Sequence, residues 1–171
     1  NDSAIAALTL QKEIHPKLKV AIIDLDVHQG NGTASILQND PTIFTLSIHG
    51  ENNFPFKKEV SDLDIGLADG CNDQTYLQTL TDSLDQLDAR FRPDFVIYLA
   101  GADPHENDRL GRLKVSADGM KRRDEVVFQY ALDKQIPLAF AMAGGYGKTI
   151  ESTVQIHCQT IQTALSFQER Y

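Results

Sequence analysis

An α/β protein with one three-layer arrangement, a parallel sheet with helices on both faces, is the fold class this sequence predicts, and three observations predict it. Short apolar runs recur at 19–23, 42–48, 94–100 and 137–142, and the first is rich in β-branched residues, as in strands buried on both faces of a parallel sheet. Between them lie stretches whose apolar residues repeat at helical spacing, and strands alternating with helices build right-handed βαβ units. Polar, glycine-bearing loops follow three of the strands directly. In sheets of this class ligands bind outside the carboxyl ends of the strands, so the three loops should meet at one edge.

Residues 3–14 (SAIAALTLQKEI) carry apolar residues at helical spacing behind Asp2 and Ser3, which suit an N-cap, and Pro16 stops that helix. Lys19 to Ile23 form the first strand, and 33–37 a short helix after the loop that follows it. Residues 42–48 (TIFTLSI) read as the next strand, and His49 and Gly50 open a long aperiodic segment, ENNFPFKKEVSD. Long irregular loops in compact domains are often functional. Leu63 to Leu67 read as a short edge strand and Asp69, Gly70, Asn72 and Asp73 as a turn. Leu77, Leu80, Leu84 and Leu87 mark an amphipathic helix that ends before Pro93. The strand DFVIYLA then runs into GADPHENDRLGRL, Ser116 caps a helix to about Asp133, Pro137 to Met142 give another strand, and a last helix starts near Ile150.

At 171 residues, with 42% hydrophobic and 23% charged residues, the chain suits one domain with a packed core. A net charge of -8 argues against direct nucleic-acid binding, which needs clustered Lys and Arg. Cys71 and Cys158 lie far apart without CxxC spacing, so neither a disulfide framework nor a thiolate zinc site is indicated. No apolar run approaches bilayer-spanning length, and a cytoplasmic protein with no membrane contact is expected. The chain opens on Asn1 rather than Met, which suits a fragment.

The chemistry concentrates in KVAIIDLDVHQGNGT, residues 19–33. Asp24, Asp26 and His28 stand at every second position, so an extended backbone projects two carboxylates and an imidazole to the same side. Carboxylate oxygen and imidazole nitrogen are the usual non-sulfur ligands of catalytic zinc, which takes three protein ligands and leaves one position open. Asp26 and His28 supply two, and Asp103, three residues past the strand ending at Ala100, can supply the third. The plainer alternative is that Asp24, Asp26 and His28 begin a solvated loop and that Asp103 is a turn residue between Gly101 and Pro104. His105, Glu106 and Asp108 are nearby polar candidates for which a solvated loop face is the expectation. Tyr146 follows Gly144 and Gly145 at a third strand end, where its hydroxyl can stabilise a tetrahedral oxyanion; packing at a strand terminus is the alternative. His157 falls on a face of the last helix with Val154, Ile161 and Leu165 and is expected to be a satisfied core histidine, and His15 to be exposed.

DLDVHQGNG at 24–32, AGADP at 100–104 and AGGY at 143–146 resemble three motifs of the zinc-dependent histone deacetylase superfamily. SIHGENNFPF, SDLDIGLADG, NDRLGRL and the final helix are similar to its bacterial and class IV-like members, so the resemblance covers nearly the whole chain. It implies an arginase/deacetylase fold, Zn2+ held by Asp26, His28 and Asp103, and Tyr146 as the transition-state residue. It also implies a structural K+ or Na+ near Asp24 and Ser47, and a substrate tunnel walled by Phe54 or Phe56 and by Gly144 and Gly145. The implied substrate is an acetylated lysine-containing protein or a small acetylated amine.

Two departures stand out. Ala143 takes the place of the first of three glycines before the tyrosine. The adjacent His-His pair that serves the family as general base is missing, since the five histidines stand at 15, 28, 49, 105 and 157. Residues 1–171 are therefore expected to be the C-terminal part of a single deacetylase domain, an incomplete copy of the fold. If the chain is active alone, His49 and His105 are the first candidates for the proton shuttle. Two rival readings remain at this stage. An arginase-type binuclear ureohydrolase wants more carboxylates, yet Gly30 stands two after His28; a non-catalytic binding module that keeps the fold would have no need of three ligand types and Tyr146.

Overall fold

The computed structural model describes residues 1–170. The chain runs α1 (Asp2–Glu13), β1 (Val20–Asp24), α2 (Asn31–Leu37), β2 (Ile43–Gly50), β3 (Leu63–Leu67), α3 (Asp73–Arg90), β4 (Phe95–Ala100), α4 (Ala117–Asp133), β5 (Leu138–Met142) and α5 (Ile150–Gln168). The strands form one sheet in the order β3-β2-β1-β4-β5, and every pairing is parallel.

Side-chain alternation divides the core into two layers. Val20, Ile22, Ile43 and Ile97 meet Ala4, Ala7 and Leu37 of α1 and α2 on one face. Ala21, Ile23, Leu46, Val96 and Tyr98 meet Tyr76, Leu80, Leu87, Val127 and Ile156 of α3, α4 and α5 on the other. β1 and β2 are buried throughout because they lie inside both the sheet and the helical layers. β3 is an edge strand as its sequence indicates, and β5 forms the other edge, with Met142 59% exposed.

The helix starts are set by short polar side chains. Asn72 accepts from the Thr75 N–H, Ser116 from Gly119 and Thr149 from Ser152, contacts worth about 1 kcal/mol each. For α1 the cap is Asn1, not Asp2 or Ser3: its side-chain oxygen accepts from the Ala4 N–H at 2.9 Å. A second difference concerns α5. Val154, Ile161 and Leu165 are 51%, 43% and 56% exposed, whereas Ile156, Thr160, Thr163 and Phe167 face the core. The buried carboxylate of Asp124 accepts from the Thr160 hydroxyl at 2.6 Å, and Phe167 packs on Phe128. A hydrogen bond available only in the interior thus turns the helix away from its more apolar face.

β1 connects onward to β2 on one side, while β4 lies against its other side. This reversal makes the carboxyl ends of β1 and β4 a topological switch point, the place where such sheets take ligands. Among the described residues no helix is long and apolar enough to cross a membrane.

Candidate metal centre

Beyond β1 the alternation persists through a bent backbone. Leu25 and Val27 are fully buried, while Asp24 Oδ1 accepts from the Asp26 N–H at 3.1 Å and Asp26 Oδ1 from the His28 N–H at 2.9 Å. Each carboxylate thus folds over the backbone two residues on, the Asx-turn habit of aspartate. From the loop after β4, Asp103 reaches across and its Oδ1 accepts from the Val27 N–H at 2.8 Å. Asp26, His28 and Asp103 then offer ligand atoms that all lie within 4.8 Å of one another. His28 Nδ1 is 2.9 Å from Asp26 Oδ1 and 3.2 Å from Asp103 Oδ2.

The electrostatics of this cluster are those of a site that wants a cation. The Asp103 carboxylate and then that of Asp26, both beside its Nδ1, push the His28 imidazole up to about 10 despite its partial burial. Burial raises Asp103, with the neighbouring Asp26 charge adding to it. Partial burial pushes Asp26 up as well, but the His28 ring and the backbone N–H groups of His28 and Gly144 hold it below the usual carboxylate range. Asp24 is raised by burial and by the Asp26 charge.

One atom is decisive for the fit. Nδ1 of His28 stands between Asp26 Oδ1 at 2.9 Å and Asp103 Oδ2 at 3.2 Å, and Asp103 Oδ2, wholly buried, has no hydrogen bond of its own. A buried carboxylate oxygen without a hydrogen bond is costly. A divalent cation held by Asp26, His28 and Asp103 would compensate it, and an oxygen-oxygen-nitrogen set suits zinc with one position left open.

Gly144 closes the cluster from the β5 side, donating its N–H to Asp26 Oδ2 at 2.6 Å. A Cβ there would collide with Asp26 Oδ2 and Asp103 Oδ2. Gly144→Ala should therefore weaken metal binding by at least the ~10- to 100-fold typical of disturbing groups that orient ligands. Competition with a chromophoric chelator measures this, and unchanged affinity would refute the cradle.

Tyr146 follows on the same loop, 44% exposed, its ring centroid 6.3 Å from that of His28 at 86°. Asp24 and Ser47 are register partners on β1 and β2, both buried, and the Gly30 N–H donates to Ser47 Oγ at 3.4 Å. Phe54 and Phe56 stack edge to face at 6.3 Å, 60% and 86% exposed. Their loop is gathered by Lys58, whose Nζ donates to the carbonyls of Glu51, Asn53 and Pro55.

Other expectations change. His105 and Asp108, expected on a solvated face, are 7% and 6% exposed; Glu106 is exposed. His157 is not satisfied, because its Nδ1 lacks a hydrogen-bond partner; its ring lies near the position a Gly145 Cβ would take. His49 Nδ1 lies 3.0 Å from Ser47 Oγ, and neither His49 nor His105 belongs to the ligand cluster. His15 is exposed as expected.

A buried ion pair escaped the sequence reading. Arg123, 0% exposed, donates Nη1–H to the Gly101 carbonyl at 2.5 Å and Nε–H to Asp124 at 2.9 Å, and Asp124 also accepts from the Tyr98 hydroxyl. The pair braces the loop that carries Asp103. Its signal was available: Arg123 and Asp124 occupy the same helical stripe as Met120, Val127 and Ala131.

Residues 1–161 match the histone deacetylase domain. The chain belongs to the histone deacetylase family. It is 46% identical over 157 residues to an uncharacterised protein of Picosynechococcus sp., covering 92% of this chain and 52% of that protein. Histone deacetylase 2 of Arabidopsis thaliana is 39% identical over 134 residues, 77% of this chain and 35% of its own length. The chain thus spans about half or less of these relatives. In fold it superposes on the acetylpolyamine aminohydrolase of Burkholderia pseudomallei with a TM-score of 0.81 at 24% identity, covering 95% of this chain and 48% of that one. The arginase/deacetylase-like sheet expected from the family is thereby established, in partial form.

Proposed function

We propose that this chain is the C-terminal part of a single zinc-dependent deacetylase domain that removes acetyl groups from acetyl-lysine or a related acetylated amine. The observation that carries the reading is the convergence of Asp26, His28 and Asp103 on one point, with the buried Asp103 Oδ2 lacking a hydrogen bond of its own. Zinc, when bound by these three residues, supplies a Lewis acid for a carbonyl and for water. Tyr146 donates its hydroxyl hydrogen to the oxygen that gains charge as the amide carbonyl is attacked. Gly144 and Gly145 keep the wall beside the ligands narrow, and Phe54 and Phe56 line the substrate's approach. Asp24 and Ser47 hold a K+ or Na+ beneath the ligand turn, where the buried Asp24 charge needs a counter-charge.

One ligand triad, rather than two, is found among the described residues, which favours this reading over a binuclear ureohydrolase. A binding module has no use for two desolvated carboxylates gathered around one imidazole. The proton-moving base lies outside the cluster, since no adjacent histidine pair occurs in the sequence.

The test compares the 171-residue chain with the full-length protein, both zinc-loaded, on acetyl-lysine peptide and acetylpolyamine. The full-length protein should deacetylate at least one, sensitively to chelators. The chain alone should be slower by about 100- to 10,000-fold, the contribution of a positioned acid-base group. Zinc-loaded full-length protein inert toward both substrates would overturn the proposal.

A further inference from the structure

The segment NDRLGRL contains no ligand of the cluster, yet its Asp108 is buried. The carboxylate accepts three backbone N–H groups: Oδ1 takes Leu110 and Gly111, both at 2.8 Å, and Oδ2 takes Tyr146 at 2.6 Å. Arg109 grips the same tyrosine from its other polar group. Its backbone N–H and its Nε–H donate to the Tyr146 carbonyl at 3.0 and 3.1 Å. The turn is anchored in its own right, because Asn53 accepts from the Arg112 N–H and donates to the Leu110 carbonyl. It also lies against the metal-ligand loop, where a Cβ on Gly111 would strike the Asp103 carbonyl oxygen.

We infer that Asp108 is a positioning residue that sets the Tyr146 hydroxyl relative to the Asp26, His28 and Asp103 cluster, with Arg109 as a second grip. The inference rests on the proposed role of Tyr146 as oxyanion donor. Gly144 and Gly145 before it restrict the backbone little, and its ring is 44% exposed, with an edge contact to His28. Yet a displacement of about 1 Å at a reacting centre can cost ~100-fold. A charged acceptor on the Tyr146 N–H is a strong constraint, and the anchored turn ties it to the backbone of Asp103.

Asp108→Asn in the zinc-loaded full-length protein tests this. Its one remaining oxygen can serve Leu110 and Gly111 while the amide turns toward the Tyr146 N–H, so the tyrosine contact is the one that breaks. The expected result is a kcat about 10- to 100-fold lower with KM within about twofold and zinc content unchanged. In a Tyr146→Phe background the same change should cost less than about twofold, because the hydroxyl it positions is gone. Should Asp108→Asn not fold, Arg109→Met carries the test: the side chain is exposed and the backbone donor stays, so a loss of about threefold, again absent in the Tyr146→Phe background, is expected.

Equal losses in both backgrounds, or loss of zinc, would overturn the inference in favour of a general structural role. So would wild-type kcat in Asp108→Asn when Tyr146→Phe is impaired. Wild-type kcat in Tyr146→Phe itself would remove the oxyanion reading and this inference with it.

Discussion

Asp103→Ala should contain essentially no zinc. The change deletes one of the three proposed ligands, the one with a buried oxygen that has no hydrogen bond of its own. Altering outer groups that merely orient a ligand costs ~10- to 100-fold in affinity, so removing the ligand itself should cost more than ~100-fold. Asp103 also accepts from the Val27 N–H at 2.8 Å, and Ala would leave that donor unpaired. Asp103→Asn separates the effects, since an amide oxygen can still serve Val27 while the ligand charge is lost. Elemental analysis of both variants, with circular dichroism to confirm folding, decides the matter. Undiminished zinc in either would remove Asp103 from the site.

Tyr146→Phe should lower kcat by about 100- to 1,000-fold in the full-length protein, the scale set by removing one oxyanion donor. Zinc content should not change, because Tyr146 is no member of the ligand triad. The split between rate and metal content matters. A tyrosine that merely packed at the strand end would, on losing its hydroxyl, leave kcat untouched, and that outcome would return Tyr146 to a structural part. Its half-exposed ring makes a large stability loss unexpected.

Several parts of this fold and site are legible in single stretches of sequence. The alternation of Asp24, Asp26 and His28 against Leu25 and Val27 places the polar groups on one side and the apolar ones in the core. Ser116 caps α4, and the leucines from 77 to 87 mark α3, because backbone periodicity and capping depend on residues within a few positions of one another. The three-motif resemblance extends this to the residues proposed here as ligands and as oxyanion donor.

Only the tertiary structure decided which buried polar groups find partners. The order β3-β2-β1-β4-β5 brings the loop after β4 against the one after β1. Asp108 meets Tyr146 across 38 positions and Gly144 meets Asp26 across 118. Thr160 draws α5 onto Asp124 across 36 positions, against the helix's own apolar pattern. A hydrophobic face can be read locally because water is the common alternative for every residue. A buried carboxylate is stable only beside a particular donor, and here that donor lies far along the chain, where folding alone brings it.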